Sequence, residues 1–287
     1  MRSDYISLNT IKRQAGIELT NTSWDTLIGE SLIPGISRQI DDWCHRHFYP
    51  LVATYKWDFQ DSYRLRLKGL ELLEVTTLTN GDSETMTEGT DFILYPLVGP
   101  PYRYIDIKTD TGTAFVISGT PQQALSIAGV WGYHQDYANA WRDTGDTVLD
   151  VAGLTAAITT VTVADASDFS VRETVQIDSE QMMVTATDET LETLTVVRGI
   201  NGSTAATHLI NATISKWYPH SAVVRAAQEW IVFVMNTVEE GGISRQRMGD
   251  YEQAISFFLL DQTAKGPPGG VMPALSALRF TDIWWNY

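Results

Sequence analysis

Apolar residues recur at helical spacing near the start of the chain. Leu8, Ile11 and Ala15 predict a short first helix. A longer helix follows, and Pro34-Gly35 is expected to kink or split it because proline removes a backbone donor. The apolar stripe of this longer helix comprises Leu27, Ile28, Ile36, Ile40, Trp43 and Phe48. The first fifty residues are therefore predicted to be helical.

A second helical pattern begins at Pro219 and is apolar on more than one side. Val224, Ile231 and Met235 lie beside the main stripe, and a helix that is apolar on two sides is normally buried on two sides. Asp250 predicts the cap of a further helix that runs through Leu259. The main stripe of the first of these helices comprises Val223, Ala227, Trp230, Val234 and Val238.

Between the two helical parts, residues 51–150 show the period-two alternation of strands. Asn80-Gly81-Asp82 predicts a hairpin turn within this β region. The predicted strands cover residues 63–67, 75–78, 92–95, 104–107, 114–117 and 124–130.

Residues 151–216 form a second series of short strands that is poor in aromatic residues. Asn201-Gly202 predicts a tight turn within it. Because helices are predicted on both sides of the β segments, this series is interpreted as an inserted module. Its predicted strands cover residues 160–163, 174–177, 182–185, 194–197 and 212–215.

These elements predict an α+β fold. Residues 1–50 and 217–270 form a helical bundle, residues 51–150 form an antiparallel β region between the two helical parts, and residues 151–216 form a small inserted β-sandwich or barrel of Ig-like type. Residues 271–287 follow the Gly266–Gly270 hinge as a separate tail.

The tail is rich in large apolar residues. Aromatic anchors dominate the energetics of many interfaces, so the tail is a candidate docking device for a partner protein. The same residues could instead fold back on the chain's own core, and the sequence leaves both interpretations open. The candidate docking residues are Phe280, Ile283, Trp284, Trp285 and Tyr287.

Composition restricts the function classes. Of the 287 residues, 44% are hydrophobic and 19% charged, which is typical of a folded protein. The formal net charge of −15 argues against a protein that grips nucleic acid by its phosphates. Cys44 is the one cysteine, so no intramolecular disulfide forms, and the chain shows no signal-peptide or membrane-span pattern. We expect a protein made in the cytoplasm without a membrane association.

Three clusters could carry chemistry, and each has a simpler structural explanation. Cys44, His45 and His47 supply at most part of a zinc site, which needs four ligands. Asp178 and Glu180 lack the spacing of a calcium loop. Residues 198–203 have the glycines of a phosphate loop but not its lysine. We therefore predict a protein that is not an enzyme, with no catalytic residue, cofactor or metal site.

Several segments, taken in order, resemble the head-tail connector adaptors of tailed bacteriophages. Residues 37–48 resemble that family's helix before its aromatic exit, and residues 63–67 with 75–78 resemble the strand that follows it. Residues 96–102 are similar to its hairpin, and residues 225–230 with 242–251 to its C-terminal helix pair. The module resembles a β module of phage structural proteins through residues 178–182 and 197–204. The family's small adaptors are nearly all helical, so the β parts are departures.

The resemblance implies a structural virion protein at the neck of the particle. It would form a ring of about twelve copies under the portal through head-to-tail contacts that close by rotation. Partners would be the portal protein and a stopper or tail-terminator protein, and the genome would pass through the ring without specific binding during ejection. The tail residues would contact the portal, and Val224, Ile231 and Met235 the neighbouring subunit.

Two alternatives stay open at this point. A tail-completion or stopper protein lower in the neck would also form a ring. A carbohydrate-binding structural module is disfavoured by the shortage of aromatic residues in residues 151–216, because sugars usually stack on exposed aromatic rings.

Overall fold

The computed structural model describes residues 1–239, 245–248, 251–254 and 271–280, and it shows a mixed α and β chain with antiparallel sheets. A π-helical segment, Leu27–Leu32, runs directly into the second α-helix. Pro34 lies in the first turn of that helix, so the predicted interruption is present as a change of helix type. Among the described residues, no helix has both the length and the apolarity to cross a membrane. The α-helices are α1 (Leu8–Gln14), α2 (Ile33–Cys44), α3 (Ser221–Glu239) and α4 (Met272–Leu278).

The β region consists of two sheets. A four-stranded sheet has the order β1-β7-β3-β4 and a three-stranded sheet the order β2-β6-β5, with every pair antiparallel. The strands are β1 (Leu51–Trp57), β2 (Arg64–Arg66), β3 (Leu72–Thr79), β4 (Thr85–Met86), β5 (Phe92–Tyr95), β6 (Tyr104–Ile107) and β7 (Leu125–Trp131). The sequence predictions for β5 and β6 are confirmed to the residue.

The module is built on a six-stranded antiparallel sheet with the order β8-β13-β10-β11-β12-β9. This sheet begins at Trp141, ten residues before the predicted boundary, because Trp141 pairs with Trp217. The amide of Leu149 also donates to the carbonyl of Thr162, which brings the two ends of the sheet together. The strands are β8 (Trp141–Thr147), β9 (Thr160–Thr162), β10 (Thr174–Ile177), β11 (Glu180–Asp188), β12 (Thr193–Val197) and β13 (Thr213–Trp217).

Two element predictions are wrong. Residues 114–117 do not form a strand, because the side chain of Asn80 takes up their backbone groups: it donates to the carbonyl of Ala114 and accepts from the amide of Val116. The helix predicted from Asp250 is replaced over residues 251–254 by a strand. That strand, β15 (Tyr251–Ala254), pairs with β14 (Arg245–Met248), and the sequence Gly249-Asp250 between them is a hairpin signal.

Helices from both ends of the chain share one hydrophobic core. Helix α3 contacts α1, α2 and α4, and α2 also contacts α4. Ile11, Ile40 and Val223 are completely buried there. Separate apolar clusters fill the β region and the module. The helices that precede the β region and those that follow the module therefore share one core.

A buried polar network joins the module to the start of the chain. The Asn201 side chain accepts from the Ser3 amide at 2.8 Å and donates to the Ser3 hydroxyl and to the Gln181 side chain. Gln181 in turn donates to the carbonyl of Pro50 at 2.9 Å. Because buried amides must find partners, this network fixes the module on the helical part.

Gly202 brings the module into close contact with strand β1 of the β region. Its φ is +80°, and a Cβ atom built there would lie 2.2 Å from the carbonyl oxygen of Val52 in β1. Only glycine accommodates both this conformation and this approach. The predicted Asn201-Gly202 turn is thus also a docking point of the module.

Candidate docking site

The C-terminal segment 271–280 packs onto the helical core. Val271, Leu275 and Leu278 are buried in the same cluster as α1, α2 and α3. Helix α4 is therefore part of the core and not of a separate tail, in contrast to the predicted boundary at residue 271. Large aliphatic side chains at spacing i, i+4 and i+7 explain this packing, since they form one face of the helix.

The segment ends beside the C-terminus of α2. The amide of Phe280 donates to the carbonyl of Cys44 at 2.7 Å. The Arg46 guanidinium lies over the Phe280 ring, 5.1 Å from its centroid, and over the Tyr133 ring at 4.3 Å. Phe280 thus contacts the chain's own core but is only half-buried, and its role at the portal stays a prediction.

The other predicted docking residues lie outside the described residues: Ile283, Trp284, Trp285 and Tyr287. The structure does fix where the chain that carries them departs. Arg279 donates to His45 at 3.0 Å and its guanidinium lies over the Trp43 ring at 5.3 Å. Residue 280 is thereby held at the end of α2.

The three predicted subunit-contact residues divide into two groups. Ile231 is completely buried and Met235 is 2% exposed, both in the chain's own helical core. Their face of α3 is covered by other helices of the same chain and needs no neighbouring subunit. The prediction that Ile231 and Met235 contact another subunit is therefore wrong. Val224 is only partly buried and lines a groove of about 550 Å³ between the start of α3 and residues 134–142.

Two histidines line the same groove with fixed tautomers. His134 Nδ1 accepts from the Asp136 amide, and its Nε2 donates to the Tyr218 carbonyl. His220 Nδ1 accepts from the Ala222 amide at the start of α3. Burial lowers the pKa of both imidazoles, so they are neutral near pH 7.

Cys44, His45 and His47 have separate partners. Cys44 is fully buried with its Sγ 3.8 Å from the Leu275 carbonyl, and burial raises the pKa of its thiol to about 12. His45 contacts Arg279, whereas His47 Nε2 lies 3.2 Å from the Trp131 carbonyl. Within the described part of the chain, no group of three or more His, Cys, Asp or Glu side chains is placed to hold a metal ion.

The two module segments that resemble phage proteins meet in one cluster, which we call the Glu180 network: Asp178, Glu180, Arg198 and His208. Asp178 is its exposed member, and the other three side chains are at most 6% exposed. Arg198 donates to both carboxylate oxygens of Glu180 at 2.7 Å each. The amides of Gly199 and Ala206 donate to the same carboxylate, at 3.0 and 2.8 Å. The Glu180 side chain is completely buried. Charge-assisted hydrogen bonds of this kind are strong, so the Glu180 carboxylate is firmly fixed in place.

His208 completes the network. Its Nε2 lies 2.9 Å from Glu180 and its Nδ1 lies 2.7 Å from Asp178. Burial raises the pKa of Glu180, but hydrogen bonds from Arg198, Ala206 and His208 outweigh this effect and leave the pKa below its usual value. Glu180 is therefore ionised, and its carboxylate is already bonded to groups of the chain itself.

The glycine-containing stretch 198–203 is likewise engaged. Besides Glu180, the Arg198 guanidinium donates to the carbonyls of Thr155, Ile158 and Ala206. The Ser203 hydroxyl accepts from the Gln181 amide. These bonds give the stretch a structural role in place of a phosphate site. The sequence did not predict the ion pair between Arg198 and Glu180, because the two residues lie in different parts of the module sequence.

No family model, no curated protein and no solved structure matches the chain.

Proposed function

We propose that this chain is a structural virion protein, a head-tail adaptor that forms a ring under the portal of a tailed phage and lines the exit channel of the genome. The observation that carries the proposal is the contact between α2 and α3. The segments that resemble the adaptor family at the two ends of the chain, residues 37–48 and 225–230, fall in or next to these helices. Because these two segments are far apart in sequence but pack in one core, their resemblance to a single family supports the proposal.

The fold supports the proposal in a second way. A helical bundle of α1 to α4 would be the adaptor core, and the two β parts would be additions inserted between its helices. The module, proposed to be of Ig-like type, would be held rigidly against the neck by the Asn201 and Gly202 contacts.

The partners follow from the proposed place in the particle. The adaptor would contact the portal on one side and a stopper or tail-terminator protein on the other, in about twelve copies arranged with rotational symmetry. The net charge of −15 suits a channel through which DNA passes without adhering, since like charges repel. Replacing pore carboxylates by amides would then slow genome ejection, and unchanged ejection would count against this electrostatic role.

A capture experiment tests the function. Tagged full chain and a variant that ends at Phe280 are used as baits in infected host cells, and bound proteins are identified by mass spectrometry. Ending at Phe280 keeps α4, whose buried side chains belong to the core. Recovery of the portal by the full chain alone supports the adaptor function and assigns the contact to residues 281–287.

The same experiment has informative opposite outcomes. Recovery of tail proteins by both baits, without the portal, would place the protein lower in the neck as a tail-completion or stopper protein. Recovery of the portal by both baits would keep the adaptor function but remove the docking role of residues 281–287. A Trp284→Ala/Trp285→Ala variant of the full chain serves as a matched control for simple truncation.

A further inference from the structure

The two ends of the three-stranded sheet differ in chemistry. Strands β5 and β6 are antiparallel, with Tyr95 opposite Tyr104 at one end and Phe92 opposite Ile107 at the other. Residues 96–103, which connect β5 to β6, therefore lie at one end, together with the end of β2, where Arg66 is opposite Tyr104. The chain enters β2 and β5 and leaves β6 at the other end.

The end formed by Arg66, Lys68, Leu97, Val98 and Arg103 is the basic end. Leu97 is 71% exposed and Val98 is 96% exposed. The stretch 96–102 has no charged side chain. Arg66 and Lys68 are exposed and flank Leu67, whose amide donates to the carbonyl of Arg103 at 3.0 Å. The basic end is thus an apolar tip with cations at its base.

The opposite end, formed by Asp61, Tyr63, Asp91 and Asp110, is the acidic end. The Ile107 amide donates to the Tyr63 carbonyl at 2.8 Å, and the Lys108 amide donates to the Asp91 carbonyl at 2.8 Å, which places these residues beside the end of β6. Asp61 and Asp110 are exposed, and Tyr63 is 57% exposed. The ammonium of Lys108 is engaged with the carbonyl of Gly89.

We propose that the three-stranded sheet is the self-association element of this protein: the basic end of one copy docks on the acidic end of the next copy. This deepens the proposed ring and rests on it for its biological setting. Exposed aliphatic side chains on one surface and an exposed tyrosine on the other supply the apolar contact, and the opposite charges around them set the orientation.

Charge complementarity selects a second copy of this chain as the occupant. The chain has 35 acidic and 20 basic residues. Its net charge is negative, so a basic patch on one copy is attracted to the acidic surface of another copy. The two complementary surfaces lie at different places on one chain, so the contact is head-to-tail. Such contacts generate a ring when the rotation closes.

Analytical ultracentrifugation of the purified full chain tests the contact by charge reversal. Arg66→Glu/Lys68→Glu reverses the basic end, and Asp61→Lys/Asp110→Lys reverses the acidic end. We expect either variant alone to raise the apparent dissociation constant of self-association at least about tenfold, because like charges then face each other. An equimolar mixture of the two variants should regain association, since one then has two acidic ends and the other two basic ends.

A matched control separates this contact from the general effect of charge. Asp168→Lys/Glu189→Lys changes the net charge as much as the acidic-end variant does, but at exposed positions of the module. The proposal is overturned if this control weakens association equally, if the mixture does not regain it, or if the unaltered chain stays monomeric at about 100 µM and low salt. Because no portal is present, these outcomes leave the capture test of the adaptor function unaffected.

Discussion

The module junction and the three-stranded sheet use polar residues in opposite ways. At the junction, Asn201 and Gln181 are buried, and their side-chain amides bond to partners within the chain. At the ends of the sheet, charged residues such as Arg66 and Asp110 are exposed, beside large apolar side chains. Buried polar groups therefore determine how the parts of this chain fit together, whereas exposed ones remain accessible to another molecule.

The largest loss of stability is expected from Glu180→Gln. The change leaves the Arg198 guanidinium, which is 6% exposed, without its carboxylate. Removing one partner of a buried ion pair costs about 3–5 kcal/mol. Urea denaturation would measure the loss in the free energy of unfolding. Glu189→Gln, an exposed change in the same module, should cost less than about 0.5 kcal/mol, and equal losses for the two variants would contradict a structural Glu180 network.

Gly202→Ala is expected to cost about 2 kcal/mol or more, since it combines an unfavourable φ with a clash against the Val52 carbonyl. Gly112→Ala is the matched control, because Gly112 has a φ of +75° but open space around its Cβ position. It should cost only about 1 kcal/mol. Thermal unfolding of the two variants would compare them, and similar losses would show that the module does not press on β1.

The third prediction concerns pH. Burial raises the pKa of Asp41 from 3.8 to about 7, against the opposing effect of Arg38. The folded state then binds a proton more readily than the unfolded state between about pH 4 and pH 7, so this group's contribution to stability is lost as pH rises through that range.

Asp41→Asn removes this titration and keeps an oxygen to accept from the Tyr5 hydroxyl. From pH 4.5 to pH 7.5 the unaltered chain should lose on the order of 2 kcal/mol relative to the variant. The free energy of unfolding, measured in urea at several pH values, tests this. Glu30→Gln, at an exposed position of the π-helical segment that precedes the same helix, should give a curve parallel to that of the unaltered chain.

The smallest stability effect is expected at the apolar tip. Leu97→Ser/Val98→Ser removes side chains that are mostly exposed, so the melting temperature should stay within about 1–2 °C of the original. Self-association should nevertheless weaken. A large fall in the melting temperature would show that the tip packs within its own chain.

Local patterns predicted the elements well where backbone groups bond to near neighbours in regular order. Strands 92–95, 104–107 and 174–177 appear where the alternation placed them. The 114–117 prediction failed because Asn80 supplies the partners that a strand would have supplied. The hydrophobic periodicity of a segment does not show that a distant side chain will bond to its backbone groups.

The site was less predictable because its contacts join distant parts of the chain. Ser3 and Asn201 are 198 residues apart, and Cys44 and Leu275 are 231 apart. The apolar stripe of α3 was predicted correctly at the four positions whose side chains the structure describes: Val223, Ala227, Trp230 and Val234. The second apolar face was assigned to another subunit, whereas Ile231 and Met235 lie in the core that α3 shares with α1, α2 and α4. A sequence shows that a face is apolar, not what covers it.

Immunogold electron microscopy of purified tailed particles that contain this chain tests the central claim most directly. With an antibody against the full chain, the account predicts label confined to the junction between head and tail. Label along the tail tube, on the capsid surface or on no particle would contradict the adaptor function.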